Sequence, residues 1–171
     1  MVHRTRLLVR PGGAGFSHDL LEHIAAGGSK KGQQWEFSLG WSCTDKEMNA
    51  IGALPAGAPT AGIDHNGDTV PDTVVADLTG LLDLDGWHRK IPGLRVIVRD
   101  EPGHPRYRKR ATEREKQLGR RYQLIATDTR HGQIAWLDAR HRSHVDVEND
   151  VKRVRLFWSD VHAACGMRLS A

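Results

Sequence analysis

The sequence predicts a mixed α/β fold, and three observations support this prediction. Short apolar runs bounded by turn residues are typical of strands, and they occupy residues 7–9, 74–78, 94–98 and 122–127. A capped segment after the first run, and the stretch from Gln133 onward, space their apolar residues as helices do. The chain has 171 residues, of which 39% are hydrophobic, so length and composition suit one domain with a core, or one domain with a tail.

The first elements are predicted as strand, turn and helix. Residues 7–9 form a buried strand that ends in the turn Pro11-Gly12-Gly13. Ser17 suits the N-cap of a helix over roughly residues 18–26, and Gly27-Gly28 ends that helix.

A second strand and a second helix follow. Between residues 35 and 39 apolar side chains alternate with Glu36 and Ser38, which is the pattern of a half-buried strand. Thr44 and Glu47 match the S/T-x-x-E capping box of a helix that ends near Leu54-Pro55.

The middle of the chain is predicted to be rich in strands. After a Gly/Ala/Pro stretch at residues 55–62, the segment from Asp64 to Asp68 predicts a hairpin tip. A calcium loop is a weaker interpretation of this segment, because the full spacing and the closing Glu are missing. Residues 100–121 are polar and basic and predict either a solvated loop or a frayed helix over residues 112–118.

Charge is distributed unevenly along the chain. The sequence holds 25 basic and 21 acidic residues, for a net charge of +4. Residues 45–85 hold eight acids and one base, whereas residues 99–121 hold nine bases and four acids. A polyanion would therefore contact the second segment and not the first.

Two motifs leave alternatives open. Gly12-Gly13-Ala14-Gly15 lies between a strand and a helix and could bind a phosphate, but it lacks a full phosphate-loop pattern, so a structural turn is favoured.

His141, His144 and Glu148 share one helix face and could bind a transition metal, although a solvated charged face is the simpler interpretation. An acid among cations also suits phosphate chemistry, with a salt-bridged surface helix as the alternative. The cations of this helix are Arg140, Arg142, Lys152, Arg153 and Arg155.

Several segments in order resemble the C-terminal part of a bacterial DDE-type insertion-sequence transposase, in the family named for insertion element thirteen-eighty. The resemblance covers roughly residues 6–155. The segments that carry it are Leu8–His18, Trp35–Gly40, Val75–Trp87, Leu94–Arg99, Tyr122–Thr129, Gly132–Leu137 and Arg140–Arg142.

The resemblance implies part of an RNase H-like fold, namely its fourth strand and its final catalytic helix, with a β-rich insertion at about residues 34–127 between them. In such transposases two Asp and one Glu hold Mg²⁺ ions that activate water or a DNA 3′-hydroxyl. Glu148 falls on the third acid, so the resemblance makes it the catalytic residue and metal ligand. The resemblance places His141, His144 and Arg155 where related transposases contact DNA near the metal site. The other residues expected to contact DNA belong to the two basic segments and are Arg140, Arg142, Lys152, Arg108, Lys109 and Arg110.

The sequence departs from the family at the other two acids. Gly12 stands where the second acid is expected, and the first acid is expected on a strand upstream of residue 7. Residues 156–171 no longer resemble the family and are interpreted as a divergent tail after a domain spanning residues 1–155. A single carboxylate binds Mg²⁺ weakly, so the ion is not expected to be retained.

The expected function is that of a transposase-derived, catalytically inactive fragment that retains DNA affinity. The alternative is a stand-alone DNA-binding or regulatory protein that antagonises an active transposase. Residues 7–9 would form a sheet edge, so self-association or pairing with a full-length transposase is expected. The absence of an apolar run of about 20 residues argues against a membrane span, and the separated Cys43 and Cys165 fit a reducing cytoplasm.

Overall fold

The computed structural model describes residues 5–11, 17–27, 33–109 and 111–143. Residues 1–141 form one compact unit and residues 142–171 another.

Six strands form one mixed sheet in the described part of the chain. They are β1 (Thr5–Val9), β2 (Gln33–Trp41), β3 (Thr60–Ile63), β4 (Thr69–Asp77), β5 (Arg95–Pro102) and β6 (Arg120–Thr127). The sheet order is β1-β2-β6-β5-β4-β3. β1 and β2 are parallel, and each later pair is antiparallel. β1 therefore lies at a sheet edge among the described residues, as predicted.

Five α-helices accompany these strands within the described ranges. They are α1 (His18–Ala25), α2 (Asp45–Gly52), α3 (Asp85–His88), α4 (Glu113–Leu118) and α5 (Ile134–Arg142). Helix α1 provides the crossover that parallel strands require. The Ser17 hydroxyl accepts the Leu20 N–H at 3.1 Å, and Thr44 with Glu47 forms the predicted capping box of α2.

One face of the sheet carries the main apolar core. Leu21 and Ile24 of α1 and Ala50 of α2 pack with Phe37 and Val98 of the sheet. Phe37 is 0% exposed. Because alternate strand residues point to opposite faces, the neighbours of these residues lie on the other face of the sheet.

Helix α5 covers the opposite face, which has few apolar side chains and several charged ones. Leu137 packs on Ile97 and Ile125. Beside this cluster the Arg99 guanidinium donates to Asp138 at 2.9 Å, and the two side chains are 7% and 1% exposed. The Arg99 Nε also donates to Glu101 at 2.8 Å.

Gly62 of β3 makes room for this buried charge. A Cβ at residue 62 would lie 3.3 Å from an Arg99 Nη atom and 2.7 Å from the Thr73 Cγ2. Real Cβ atoms essentially never approach another heavy atom as closely as the second distance. Glycine at this position therefore leaves space for the Thr73 side chain and the Arg99 guanidinium.

Two predictions about β2 and β5 differ from the structure. The strand at residues 35–39 is buried on both faces and not on one, because α5 covers Glu36 and Ser38, which are 6% and 2% exposed. Arg99 is one of the nine bases of residues 99–121 that are expected to meet a polyanion, yet it is 6% exposed and ion-paired. Of the alternatives for residues 112–118, the helix is the one observed, as α4.

Candidate nucleic-acid interface

The connection between β5 and β6 builds a compact corner at one end of the sheet. The Gly103 N–H donates to the Gly119 carbonyl at 2.8 Å and closes the connection at its base. Within it lie a 3₁₀ turn, Pro105–Tyr107, and then α4. Gly119 ends α4 with a φ of 62°, a left-handed conformation that favours glycine.

Glu115 fixes this corner internally. Its carboxylate accepts the Thr112 N–H at 2.8 Å and the Tyr122 N–H at 3.0 Å. Burial opposes ionisation, but the hydrogen bonds from Tyr122 and Thr112 outweigh it and hold the pKa of Glu115 below its ordinary value. The negative charge of Glu115 is thus stabilised by backbone N–H groups of the corner.

The cations of the corner fall into two groups. Three are ion-paired: Lys116 with Glu113 at 2.6 Å, Arg120 with Asp100 at 2.7 Å and Arg121 with Glu101 at 3.2 Å. The second group is exposed and has no ion pair within the described residues; it consists of Arg106, Arg108, Lys109 and Arg114. Exposed cations without an internal partner are available to phosphates.

An aromatic side chain lies among these cations. The Arg121 guanidinium carbon lies 3.7 Å from the Tyr107 ring centroid, which is a cation–π contact. The His104 ring meets Tyr107 edge-on with centroids 6.2 Å apart. Tyr107 nonetheless remains 41% exposed. The combination of cations and an exposed ring is common in nucleic-acid-binding surfaces.

A cavity of about 560 Å³ opens at this corner. Its lining includes Tyr107, Arg108, Lys116, Arg121, Tyr122 and Cys43. Burial, followed by the charges of Glu115 and Glu47, raises the pKa of the Cys43 thiol to about 11. The thiol is therefore protonated at neutral pH and is a poor nucleophile.

Two of the three predicted DNA-contacting residues of α5, Arg140 and His141, hydrogen-bond to residues of the sheet and its connections. Arg140 donates to Thr129 at 2.7 Å and to Glu36 at 3.3 Å. The His141 Nδ1 lies 2.8 Å from the Ser38 hydroxyl. These hydrogen bonds attach α5 to β2 and to the residues after β6. Arg142, the last residue of α5, is partly exposed.

The remaining predicted site residues lie outside the described ranges. They are Arg110, His144, Glu148, Lys152 and Arg155, together with Gly12. Among the described residues no group of three or more His, Cys, Asp or Glu side chains is placed to hold a metal ion. Gly12 has no side-chain oxygen, so the residues present do not fit the Mg²⁺ centre that the resemblance implies.

A second polar cluster follows β6. Asp128 accepts the Phe37 N–H at 2.7 Å. Burial, more than the neighbouring Glu36 carboxylate, raises the pKa of Asp128 to about 6. Both acids line a cavity of about 270 Å³ with Arg130 and His131. The sequence prediction missed this cluster, because Glu36 and Asp128 are 92 positions apart.

No protein-family description, curated protein or solved structure matches this chain. Within the described ranges, no helix has the length and apolar character needed to cross a membrane. The assignment of the candidate interface therefore comes from the geometry and charge of this chain's own residues and not from similarity to a known protein.

Proposed function

We propose that this chain derives from a DDE-type transposase and binds DNA without cleaving it. The observation that carries the DNA-binding proposal is the group of four exposed cations at the β5–β6 corner, Arg106, Arg108, Lys109 and Arg114. Phosphate contacts by such cations release condensed counterions and provide most sequence-independent affinity for DNA. The transposase origin depends on the ordered segments that resemble that family.

The arrangement of the strands supports the proposed origin. A parallel pair, β1 and β2, is joined through α1 and continues into antiparallel strands on one side only. Helix α5 then packs against one face of the sheet. An RNase H-like core enlarged by a β-rich insertion would have this order of elements.

The lack of cleavage is proposed from the metal ligands. Two-metal phosphodiester chemistry needs several oxygen ligands that converge on both ions. Glycine at residue 12 removes one of the acids that the resemblance requires, so Glu148 would lack a partner for the shared ions.

Charge-matched variants test the DNA-binding corner. Arg108→Gln with Lys109→Gln removes two exposed cations from the corner, whereas Arg89→Gln with Lys90→Gln removes two cations that precede the opposite end of β5. We expect the first variant to weaken binding to a blunt DNA duplex about tenfold at low salt, and to lower the slope of log affinity against log salt by about 2. Fluorescence anisotropy of a labelled duplex measures both quantities.

The control variant distinguishes a local site from general attraction. If Arg89→Gln with Lys90→Gln weakens binding as much as the corner variant, the corner is not the interface. If the wild-type chain does not bind duplex DNA at low salt, the DNA-binding proposal is wrong.

A plasmid-nicking assay tests the proposed loss of cleavage. Supercoiled plasmid incubated with the chain and Mg²⁺ or Mn²⁺ should remain supercoiled. Metal-dependent nicking that disappears in Glu148→Ala would show that the metal centre is intact.

A regulatory role is the second candidate, because a protein that binds DNA but does not cut it can compete with an active enzyme for DNA. The exposed corner favours this role. Added to an active transposase and its DNA, the chain should reduce strand transfer, and the Arg108→Gln/Lys109→Gln variant should reduce it less. Equal inhibition by both proteins would exclude competition through the corner.

A further inference from the structure

We propose that the 560 Å³ cavity at the β5–β6 corner is a binding site for a single nucleotide with an unpaired base. This inference deepens the proposed DNA binding and rests on it. The base would stack in the region of Tyr107, and the phosphate would be held by the cations of the lining. The ligand chemistry is a planar heterocycle joined to a phosphate, in either a free nucleotide or an unpaired unit of a DNA strand.

The size of the cavity suits this ligand. Small-molecule sites commonly enclose about 300–1,000 Å³, and a cavity of about 560 Å³ lies within that range. A paired base inside a duplex is stacked on both faces and cannot enter a concave site. An unpaired base is free to enter.

The charge of the lining selects an anion. Four cationic side chains contribute to the lining, whereas Glu115 is its one acidic member among the described residues. The Glu115 carboxylate already accepts hydrogen bonds from Thr112 and Tyr122. Arg108 has no ion pair in the described part of the chain, and the partner of Lys116 is the 82% exposed Glu113. Both cations can therefore turn to a phosphate at little cost, since exposed ion pairs are weak.

The aromatic part of the lining selects a planar group. Arg121 lies over the Tyr107 ring at 3.7 Å and is itself held by Glu101 at 3.2 Å. A guanidinium stacked on a phenol ring offers a planar stacking surface, and Tyr107 keeps 41% of its surface exposed. Stacking on an aromatic side chain tolerates any base, because every base has a π-face.

A set of DNA probes tests this inference with the whole chain. The probes are a blunt duplex, the same duplex with one unpaired nucleotide at a 5′ end, and that overhang with an abasic sugar in place of the base. We expect the wild-type chain to bind the overhang about tenfold more tightly than the abasic probe. Tyr107→Leu should abolish this difference, and Tyr107→Phe should retain it, because phenylalanine keeps the ring.

The outcomes separate this inference from the proposed function. Equal affinity for the base-bearing and abasic overhangs, with salt-dependent binding to the blunt duplex, would overturn the nucleotide site and leave DNA binding intact. No binding to any probe would overturn both. A preference for the base that persists in Tyr107→Leu would also overturn the assigned site.

Deoxyadenosine monophosphate distinguishes the two sources of the ligand. If millimolar nucleotide removes the preference for the overhang and leaves binding to the blunt duplex unchanged, the site accepts a free nucleotide. If the preference persists at that concentration, the site takes a nucleotide only as part of a strand. Both results support the site provided that Tyr107→Leu removes the preference.

Discussion

The two faces of the sheet are packed by different means. On one face α1 and α2 cover a continuous apolar cluster around Phe37. On the other face α5 covers a small apolar cluster, Ile97, Ile125 and Leu137, and is otherwise attached through charged and polar side chains. Apolar side chains can pack favourably in several slightly different positions, whereas a buried ion pair is favourable only when its two charged groups keep one distance and orientation. The first face therefore supplies most of the stability, and the second fixes where α5 lies.

The largest expected effect is on the apolar face. Phe37→Ala removes a fully buried ring and should lower the free energy of unfolding by about 4 kcal/mol through lost burial and the remaining cavity. Urea unfolding followed by circular dichroism measures the change. A loss below about 1 kcal/mol would mean that this face does not supply most of the stability.

The ion pair of the other face should come next. Asp138→Ala leaves Arg99 with Glu101 as its carboxylate partner and should cost about 3 kcal/mol. Replacing both partners, as Arg99→Met with Asp138→Leu, should restore most of this stability, because neither side chain then leaves an uncompensated buried charge and Glu101 keeps Arg121 as its partner. If the double variant is as unstable as Asp138→Ala, the ion pair makes a net contribution to stability and does not only position α5.

Asp128 should make the fold less stable as pH rises. Its pKa is about 6 in the folded chain, against an ordinary value of 3.8, and burial is the main cause. The folded state therefore binds more protons than the unfolded state between these values, so stability falls from about pH 4 to pH 6. The full shift corresponds to about 3 kcal/mol, of which solvent screens part.

Asp128→Asn tests this dependence. The variant keeps an oxygen that can accept the Phe37 N–H, carries no charge, and should be about 1–2 kcal/mol more stable than wild type at pH 7. Thermal unfolding at pH 4, 5, 6 and 7 should show a shallower decline in the variant. An identical decline in both proteins would assign the titration to another group.

The smallest effect is expected at an exposed ion pair. Lys90 donates to Glu22 at 2.6 Å, but their side chains are 53% and 35% exposed. Lys90→Gln should leave the midpoint of urea unfolding unchanged, because water screens the pair. A loss of stability comparable to that of Asp138→Ala would contradict the expectation that an exposed ion pair contributes much less stability than a buried one.

Local signals made most of the fold predictable. The Ser17 cap and the Thr44–Glu47 capping box follow from short sequence patterns, because their hydrogen bonds join residues only a few positions apart. The burial of Glu36 and Ser38 was not predicted, because a strand with polar alternate positions ordinarily has one solvated face. Here α5, about 100 residues later, covers that face with polar partners of its own.

The candidate site was predictable only in part. Charge counting identified the basic segment, but it could not separate Arg99, which is buried, from Arg108 and Lys109, which are exposed. The contact of Arg121 with Tyr107 depends on the closure of the β5–β6 connection, which no local pattern specifies. The predictions for Glu148 and the cations after residue 143 remain predictions.

Gly62 lies in the edge strand β3, next to Arg99, the side chain that forms the ion pair with Asp138 of α5. A methyl group at that position would press on Thr73 and on the Arg99 guanidinium. Arg99 holds Asp138, so a change in β3 would be transmitted through two side chains and would loosen α5. A substitution of one hydrogen atom in an edge strand of the sheet can thus act as a remote perturbation of α5.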